Sequence, residues 1–267
     1  MSIPIETVQT GEIQMRFFRF GTGKTPLVII PGLSVKPVSE SAAAIAKQYR
    51  QFAEDFTVYV FDRRANLPAQ YTVAQMAEDT AAAISALGLC RYCLFGASQG
   101  GMMAMLIAAA HPEAVEKLAL GSSCVRVNET AYRVISHWAE LARRHKSEAL
   151  YLDFCQKVYP PSFFEKYKDL FVAMSETVSD AELDNFVTLC EGTAGFDARA
   201  ALAALRCPVL ALSAADDAVL GAQAAAELAA AGQQNPQFEQ YLYTGYGHDA
   251  YDTAPDYQQR LFDFFIT

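Results

Sequence analysis

Five residues, Gly96-Ala97-Ser98-Gln99-Gly100, place a serine midway between two glycines. The pattern Gly-x-Ser-x-Gly suits a nucleophilic serine when it sits on a sharp turn between a strand and a helix. Strand and helix nearly touch at such a turn, so the positions two before and two after the serine tolerate almost no side chain. The turn also strains the serine backbone and pushes its hydroxyl into open space. By chance alone the pattern arises in a chain of this length about one time in ten at ordinary residue frequencies. Its flanks therefore decide its meaning. Tyr92-Cys93-Leu94-Phe95 reads as a short buried strand, and Gly101 to Ala108 reads as an apolar helix.

A serine hydroxyl needs a base within hydrogen-bond reach, and the base needs an acid to orient it. Four histidines are available. His111 falls at a helix C-terminus, where it reads as a capping or surface residue. His137 and His145 lie in a polar helical stretch and read as surface positions. His248 follows the last strand in the Gly-rich loop Thr244-Gly245-Tyr246-Gly247-His248-Asp249. That loop can bring the imidazole over the C-terminal edge of a parallel sheet, where ligands bind. The acid is expected on the loop after the preceding strand, Ser213-Ala214-Ala215-Asp216-Asp217-Ala218. Asp216 is the first choice and Asp217 the runner-up. The other loop that can carry such an acid, Gly121-Ser122-Ser123-Cys124, has no carboxylate. The order Ser98, Asp216, His248 is that of a nucleophile-elbow enzyme. An oxyanion formed on attack needs backbone N–H donors. Gln99 and Leu33, the latter in the turn Pro31-Gly32-Leu33, are the candidates. Together these groups would perform acyl transfer.

The elements that must position these residues follow from apolar periodicity. Glu12 to Phe20 alternates as an edge hairpin does. Strands are expected at Leu27–Ile30, Phe56–Phe61, Tyr92–Phe95, Val115–Leu120, Cys207–Leu212 and Phe238–Tyr243, with Leu27–Ile30 and Tyr92–Phe95 buried. Helices are expected at Ser41–Ala53, Val73–Leu87, Gly221–Ala231 and Pro255–Phe265. Thr72 is placed to cap the second of these and Gly88 to end it. Strands alternating with helices imply right-handed crossovers and a doubly wound, mostly parallel α/β sheet of eight strands. From Val125 to Glu191 there are no buried-strand runs, and aromatics recur at helical spacing. That stretch reads as a helical insertion between two strands of one sheet. The core is then formed by residues 1–124 and 192–267.

Composition bounds the remaining possibilities. At 52% hydrophobic and 19% charged residues, the chain is expected to be an ordinary soluble globular protein. A net charge of -9 gives no basic face for nucleic acid. The apolar runs are interrupted by Gly, Pro or charge, so no membrane span is expected. Met1 to Glu6 shows no basic region followed by an apolar run, so no signal peptide is expected and the cytoplasm is the expected compartment. The six cysteines are scattered and read as free thiols. Cys90 and Cys93 spell CxxC at a strand entry, where residues three apart face opposite sides. No metal site or cofactor is expected, because no His/Cys/carboxylate cluster has ligand spacing.

With these residues in place, the chain from Leu27 onward resembles the α/β-hydrolase superfamily. The resemblance rests on Pro31-Gly32-Leu33, Asp62-Arg63-Arg64 after a strand, Gly96 to Gly101, Asp216 and Gly247-His248. It implies the fold inferred above, with a helical cap at Val125–Glu191. The chain departs from the family pattern in three places. Pro31 precedes Gly32 where His-Gly is common; Asp62 to Pro68 lacks the family's glycines; and Ser213 stands for a glycine before the acid. Haloalkane dehalogenases and epoxide hydrolases share the fold but use an aspartate nucleophile, against which Ser98 argues. The resemblance implies a hydrolase acting on a small-molecule ester or related acyl compound, as a monomer or homodimer. It leaves open a C–C bond hydrolase, a cofactor-free haloperoxidase, or a small-molecule-binding member without turnover. Trp138, Phe154, Phe163 and Arg63 are candidates to line the substrate pocket; for Arg63 and Arg64 a structural ion pair is the competing role.

Overall fold

A computed structural model describes residues 3–267; Met1 and Ser2, which open the N-terminal stretch, lie outside the described residues. The chain starts with a hairpin, β1 (Ile5–Thr10) and β2 (Ile13–Phe20), turning at Gly11 with φ of 55°. There follow β3 (Thr25–Ile30), α1 (Ala42–Gln48), β4 (Phe56–Arg64), α2 (Val73–Ala86), β5 (Tyr92–Ala97), α3 (Gln99–Ala110) and β6 (Val115–Gly121). Next come α4 (Glu129–Arg143), α5 (Ser147–Val158), α6 (Pro161–Ser175), α7 (Asp180–Glu191) and α8 (Arg199–Ala204). The chain closes with β7 (Val209–Ala214), α9 (Gln223–Gly232), β8 (Phe238–Tyr243), α10 (Ala250–Thr253) and α11 (Tyr257–Ile266).

The eight strands form one sheet in the order β1-β2-β4-β3-β5-β6-β7-β8. The hairpin and the β2–β4 pair are antiparallel, and every later pairing is parallel. The reason lies in the strand sequences. β3, β5 and β7 are apolar at successive positions, and side chains alternate across a strand. Val28, Ile30, Leu94, Val209 and Ala211 therefore enter the core on one face, with α2, α3 and α9. Leu27, Ile29, Phe95, Leu210 and Leu212 enter the other, with Phe52 and the α11 residues Leu261 and Phe265. Thr72 caps α2 in a reciprocal capping box with Gln75, which fixes where that helix begins.

The expected helix over Ser41–Ala53 is divided. A 3-10 turn at Val38–Ser41 precedes α1, and another at Arg50–Phe52 follows it. Tyr49 and Phe52 are both buried, and a 3-10 turn aligns residues three apart on one side. The packing of those two rings overrides continuation of the α-helix.

Helices α4 to α7 run between β6 and β7 without an intervening strand. They do not pack as a separate lobe. Ile135, Trp138, Leu150, Leu183 and Phe186 belong to the same apolar core as β3 and β5. A smaller aromatic cluster of Cys155, Phe164 and Phe171 joins α5 to α6. Among the described residues, no helix is long and apolar enough to cross a membrane. Nor do any three His, Cys, Asp or Glu side chains there lie close enough to hold a metal ion.

Candidate active site

Ser98 sits between β5 and α3 with φ of 51° and ψ of -119°, a region that non-glycine residues rarely occupy. Its neighbours explain how the strain is held. The Ser98 N–H donates to the Gly121 carbonyl at 2.7 Å, and the Ser123 hydroxyl donates to the Ser98 carbonyl at 2.9 Å. A Cβ on Gly96 would lie 2.4 Å from the Gly100 carbonyl oxygen; one on Gly100 would lie 2.0 Å from that of Ile30. Both obstacles are backbone atoms that cannot turn aside. The two glycines thus let β3, β5 and α3 converge beneath the serine.

Three loops meet over the C-terminal edge of the sheet. His248 is buried and presents Nε2 to the Ser98 Oγ at 3.0 Å. Its Nδ1 lies 2.7 Å from Asp217 Oδ2, so the proton on Nδ1 is donated to the carboxylate. Nε2 is then free to accept from the serine hydroxyl. Asp217 is itself buried, and its other oxygen accepts the Val219 and Leu220 N–H groups, each at 2.8 Å.

The acid that reaches His248 is thus Asp217 and not Asp216, the residue favoured from the sequence. Asp216 is exposed and accepts the Gly245 N–H at 3.2 Å. Adjacent side chains leaving a strand point in opposite directions, so only one of the pair can turn inward. A local signal distinguishes them. Asp217 is followed at two and three positions by Val219 and Leu220, whose buried amides need an acceptor. Asp216 lacks that pattern. Of the other histidines, His145 pairs with Asp180 at 2.7 Å on the surface, and His111 lies 3.9 Å from Glu113.

A narrow cavity of about 30 Å³ lies over Ser98, bounded by Gly32, Leu33, Gln99, Trp138, Phe154 and His248. The two expected oxyanion donors thus border the same space as the nucleophile. Gln99 opens α3, and first-turn N–H groups have no carbonyl within their own helix. Gly32 comes close enough that a Cβ there would lie 3.7 Å from Ser98 Oγ. The narrow cavity shares Gly32, Leu33, Phe154, Val158 and Tyr251 with a larger one of about 540 Å³. Tyr151, Tyr159 and Phe171 of α5 and α6, or the turn between them, line the larger space, opposite Ile29, Ile45 and Phe95.

The pocket candidates separate on inspection. Trp138 and Phe154 line the cavity at Ser98, with ring centroids 4.6 Å apart. The Trp138 Nε1–H donates to Asp153 Oδ2 at 2.8 Å, which fixes the indole. Phe163 does not reach this space. It packs against Tyr159 and Tyr167 at 4.7 and 4.5 Å, because α6 turns it toward the small aromatic cluster. Arg63 borders a third cavity, about 230 Å³, that includes Pro31 and Gly32 but not Ser98. Arg64 forms an ion pair with Asp79 at 3.0 Å.

Cys90 is exposed and Cys93 buried, both as free thiols. Burial pushes the Cys93 thiol up to about 12, far from a reactive thiolate.

A sequence profile described as the alpha/beta hydrolase fold matches residues 25–255. The 3-oxoadipate enol-lactonase 2 of Acinetobacter baylyi is 19% identical, over 80% of each chain. A RutD protein of Pseudomonas savastanoi pv. phaseolicola, provisionally named a carbamate hydrolase, is 25% identical over 79% of this chain and 83% of its own. Among solved structures, the α/β hydrolase enzyme MGS-M2 from a Medee basin deep-sea metagenome superposes with a TM-score of 0.86. It is 18% identical and covers 98% of both chains. The enol-lactonase from Burkholderia xenovorans LB400 gives 0.83 at 19% identity, covering 99% of this chain and all of its own.

Proposed function

This chain belongs to the α/β-hydrolase fold family, and we propose that it is a serine hydrolase cleaving a small carboxylic ester or related acyl compound through an acyl-enzyme. One observation carries the reading: Ser98 Oγ is 3.0 Å from His248 Nε2, whose opposite nitrogen is held by the buried Asp217. His248 takes the Ser98 proton as the hydroxyl oxygen attacks the acyl carbon. Asp217 keeps the imidazole in the tautomer that can accept that proton, and stabilises the imidazolium. The Leu33 and Gln99 amides receive the developing oxyanion. His248 then returns the proton to the departing oxygen or nitrogen. A water molecule, deprotonated by the same imidazole, releases the acid and regenerates Ser98.

The helical segment Val125–Glu191 acts as a cap, supplying Trp138 and Phe154 as the roof over the nucleophile. The larger cavity of about 540 Å³ takes an apolar substituent of the substrate, since aromatic and aliphatic side chains form most of its wall. Relatives named for lactone and carbamate hydrolysis fit the same class, since each cleaves an acyl–heteroatom bond. The test is fluorophosphonate labelling followed by peptide mass spectrometry, beside p-nitrophenyl esters of increasing chain length, a lactone and a carbamate. An adduct on Ser98 and turnover in one arm are expected. No adduct and no cleavage in any arm would sink the reading.

A further inference from the structure

Strand β4 ends in three charged residues, and two of them have ionic partners. Asp62 accepts from the Ser39 hydroxyl at 2.5 Å and lies 3.4 Å from Arg16; Arg64 pairs with Asp79. Arg63, between them, is spent differently. Its Nη2 donates to the Pro31 carbonyl at 2.9 Å and to Gln99 Oε1 at 3.1 Å, with the Gly32 carbonyl at 3.5 Å. Gln99 is buried, and its Nε2 donates to the Leu189 carbonyl of α7 at 2.9 Å. A chain of hydrogen bonds therefore runs from the cap, through the Gln99 side chain and the Arg63 guanidinium, to the carbonyls of the Pro31–Gly32 turn.

Those carbonyls matter because of peptide geometry. The Gly32 C=O and the Leu33 N–H belong to one planar trans peptide and point in opposite directions. Arg63 meets the carbonyl side of that peptide at 3.5 Å, and its shorter bond, 2.9 Å to the Pro31 carbonyl, holds the preceding peptide. Together they clamp the two peptide planes that flank Gly32 and limit how the Leu33 N–H can turn beside the Ser98 cavity. Gly32 has wide backbone freedom and cannot hold that direction by itself. The second expected donor, the Gln99 amide, belongs to the other residue that Arg63 grips. Burial lowers the guanidinium to about 10, so it remains charged at neutral pH and its bonds to neutral carbonyls are charge-assisted.

We propose that Arg63 is a positioning residue that fixes the Pro31–Gly32 turn and Gln99 so that both oxyanion donors are aligned before substrate arrives. The proposal rests on the serine-hydrolase reading above. Removing one oxyanion donor costs about 10²–10³ in kcat, and loss of aim alone costs less.

The parent, Arg63→Met and Arg63→Lys are compared on one neutral p-nitrophenyl ester and on an acidic one, with Ser98 labelling of the parent run first. In Arg63→Met, kcat on both esters is expected to fall about 10- to 100-fold, with KM changed by no more than about threefold. Affinity for a trifluoromethyl ketone, whose serine adduct carries an oxyanion, should fall by the same factor. Arg63→Lys should recover part of the loss, because one ammonium can reach one carbonyl. Amide hydrogen exchange in the segment 31–36 should quicken in Arg63→Met and stay near parental in Arg63→Lys. Unchanged kcat in a folded Arg63→Met, or unchanged exchange in that segment, overturns the proposal. So does a loss confined to the acidic ester, which would make Arg63 a substrate contact. If Arg63→Met does not fold, kcat in Arg63→Lys decides: a fall of about two- to tenfold supports the proposal, and a kcat at the parental level overturns it. A parent that neither labels at Ser98 nor cleaves esters overturns the hydrolase reading instead, while the exchange data still decide whether Arg63 orders the turn.

Discussion

Replacing Asp217 by asparagine should disable the enzyme without unfolding it, and the same change at Asp216 should do little. The structure gives the reason and the size. Asp217 Oδ1 is fixed by the amides of Val219 and Leu220, so an asparagine there keeps its oxygen on those two donors. Its NH2 group then faces His248 Nδ1 at the present 2.7 Å separation. Two donors cannot share that contact. The imidazole must move its proton to Nε2, where it points at Ser98 and can no longer accept from it. In a triad of this type the wrong tautomer lowers kcat about 10⁴-fold, or about 5.5 kcal/mol. An independent figure comes from the charge pair that forms when His248 is protonated. At 2.7 Å and an effective dielectric constant of about 20, it is worth about 6 kcal/mol. Asp216 is exposed and gives up one 3.2 Å bond from Gly245, so Asp216→Asn should change kcat by less than about threefold. The assay is steady-state hydrolysis of the best ester from the panel, with melting curves to confirm folding. If Asp217→Asn keeps kcat within about tenfold of the parent, or Asp216→Asn is the damaging change, the tautomer reasoning is wrong.

Other perturbations test other parts of the structure. Gly100→Ala should destabilise by about 3 kcal/mol or more, or prevent folding, because its Cβ would lie 2.0 Å from the Ile30 carbonyl oxygen; urea titration measures this. Burial, with Asp252 adding to it, holds the Asp249 carboxyl well above the usual carboxylate range. The folded state then keeps a proton that the unfolded chain releases above about pH 4, so this group lowers stability as pH rises from there toward its folded value. Asp249→Asn should remove that slope and raise Tm at about pH 8, with little gain at about pH 4, as calorimetry across pH would show. Native protein should present one rapidly reacting thiol, Cys90, to a disulfide reagent, and unfolded protein six. Half-buried Cys207 should follow more slowly, and fast labelling of Cys93, mapped by peptide mass spectrometry, would contradict its burial.

Much of this protein is legible in its sequence because the relevant physics is local. Six of the eight strands lie where the sequence places them, and β8 matches its expected span, Phe238–Tyr243; Glu12–Phe20, expected to hold a whole hairpin, is the single strand β2, and its partner β1 precedes it at Ile5–Thr10. The glycines around Ser98 announce a crowded turn, and the Gly-rich loop before His248 announces a base delivered to the sheet edge. What could not be read locally depended on direction. Asp216 and Asp217 are chemically identical neighbours; the apolar pair Val219-Leu220 is a faint local cue for Asp217, and the path of the loop after β7 is what turns one inward and the other out. Phe163 is as aromatic as Phe154, yet the helix phase sends it to Tyr159 and Tyr167 rather than to the nucleophile. Arg63 carries an obvious charge, but its bond to the Pro31 carbonyl joins residues 32 positions apart. Residue type and spacing determined which chemistry was possible and roughly where. Which of two equal side chains performs it was decided by tertiary packing, because a hydrogen bond requires an orientation that composition and spacing do not encode.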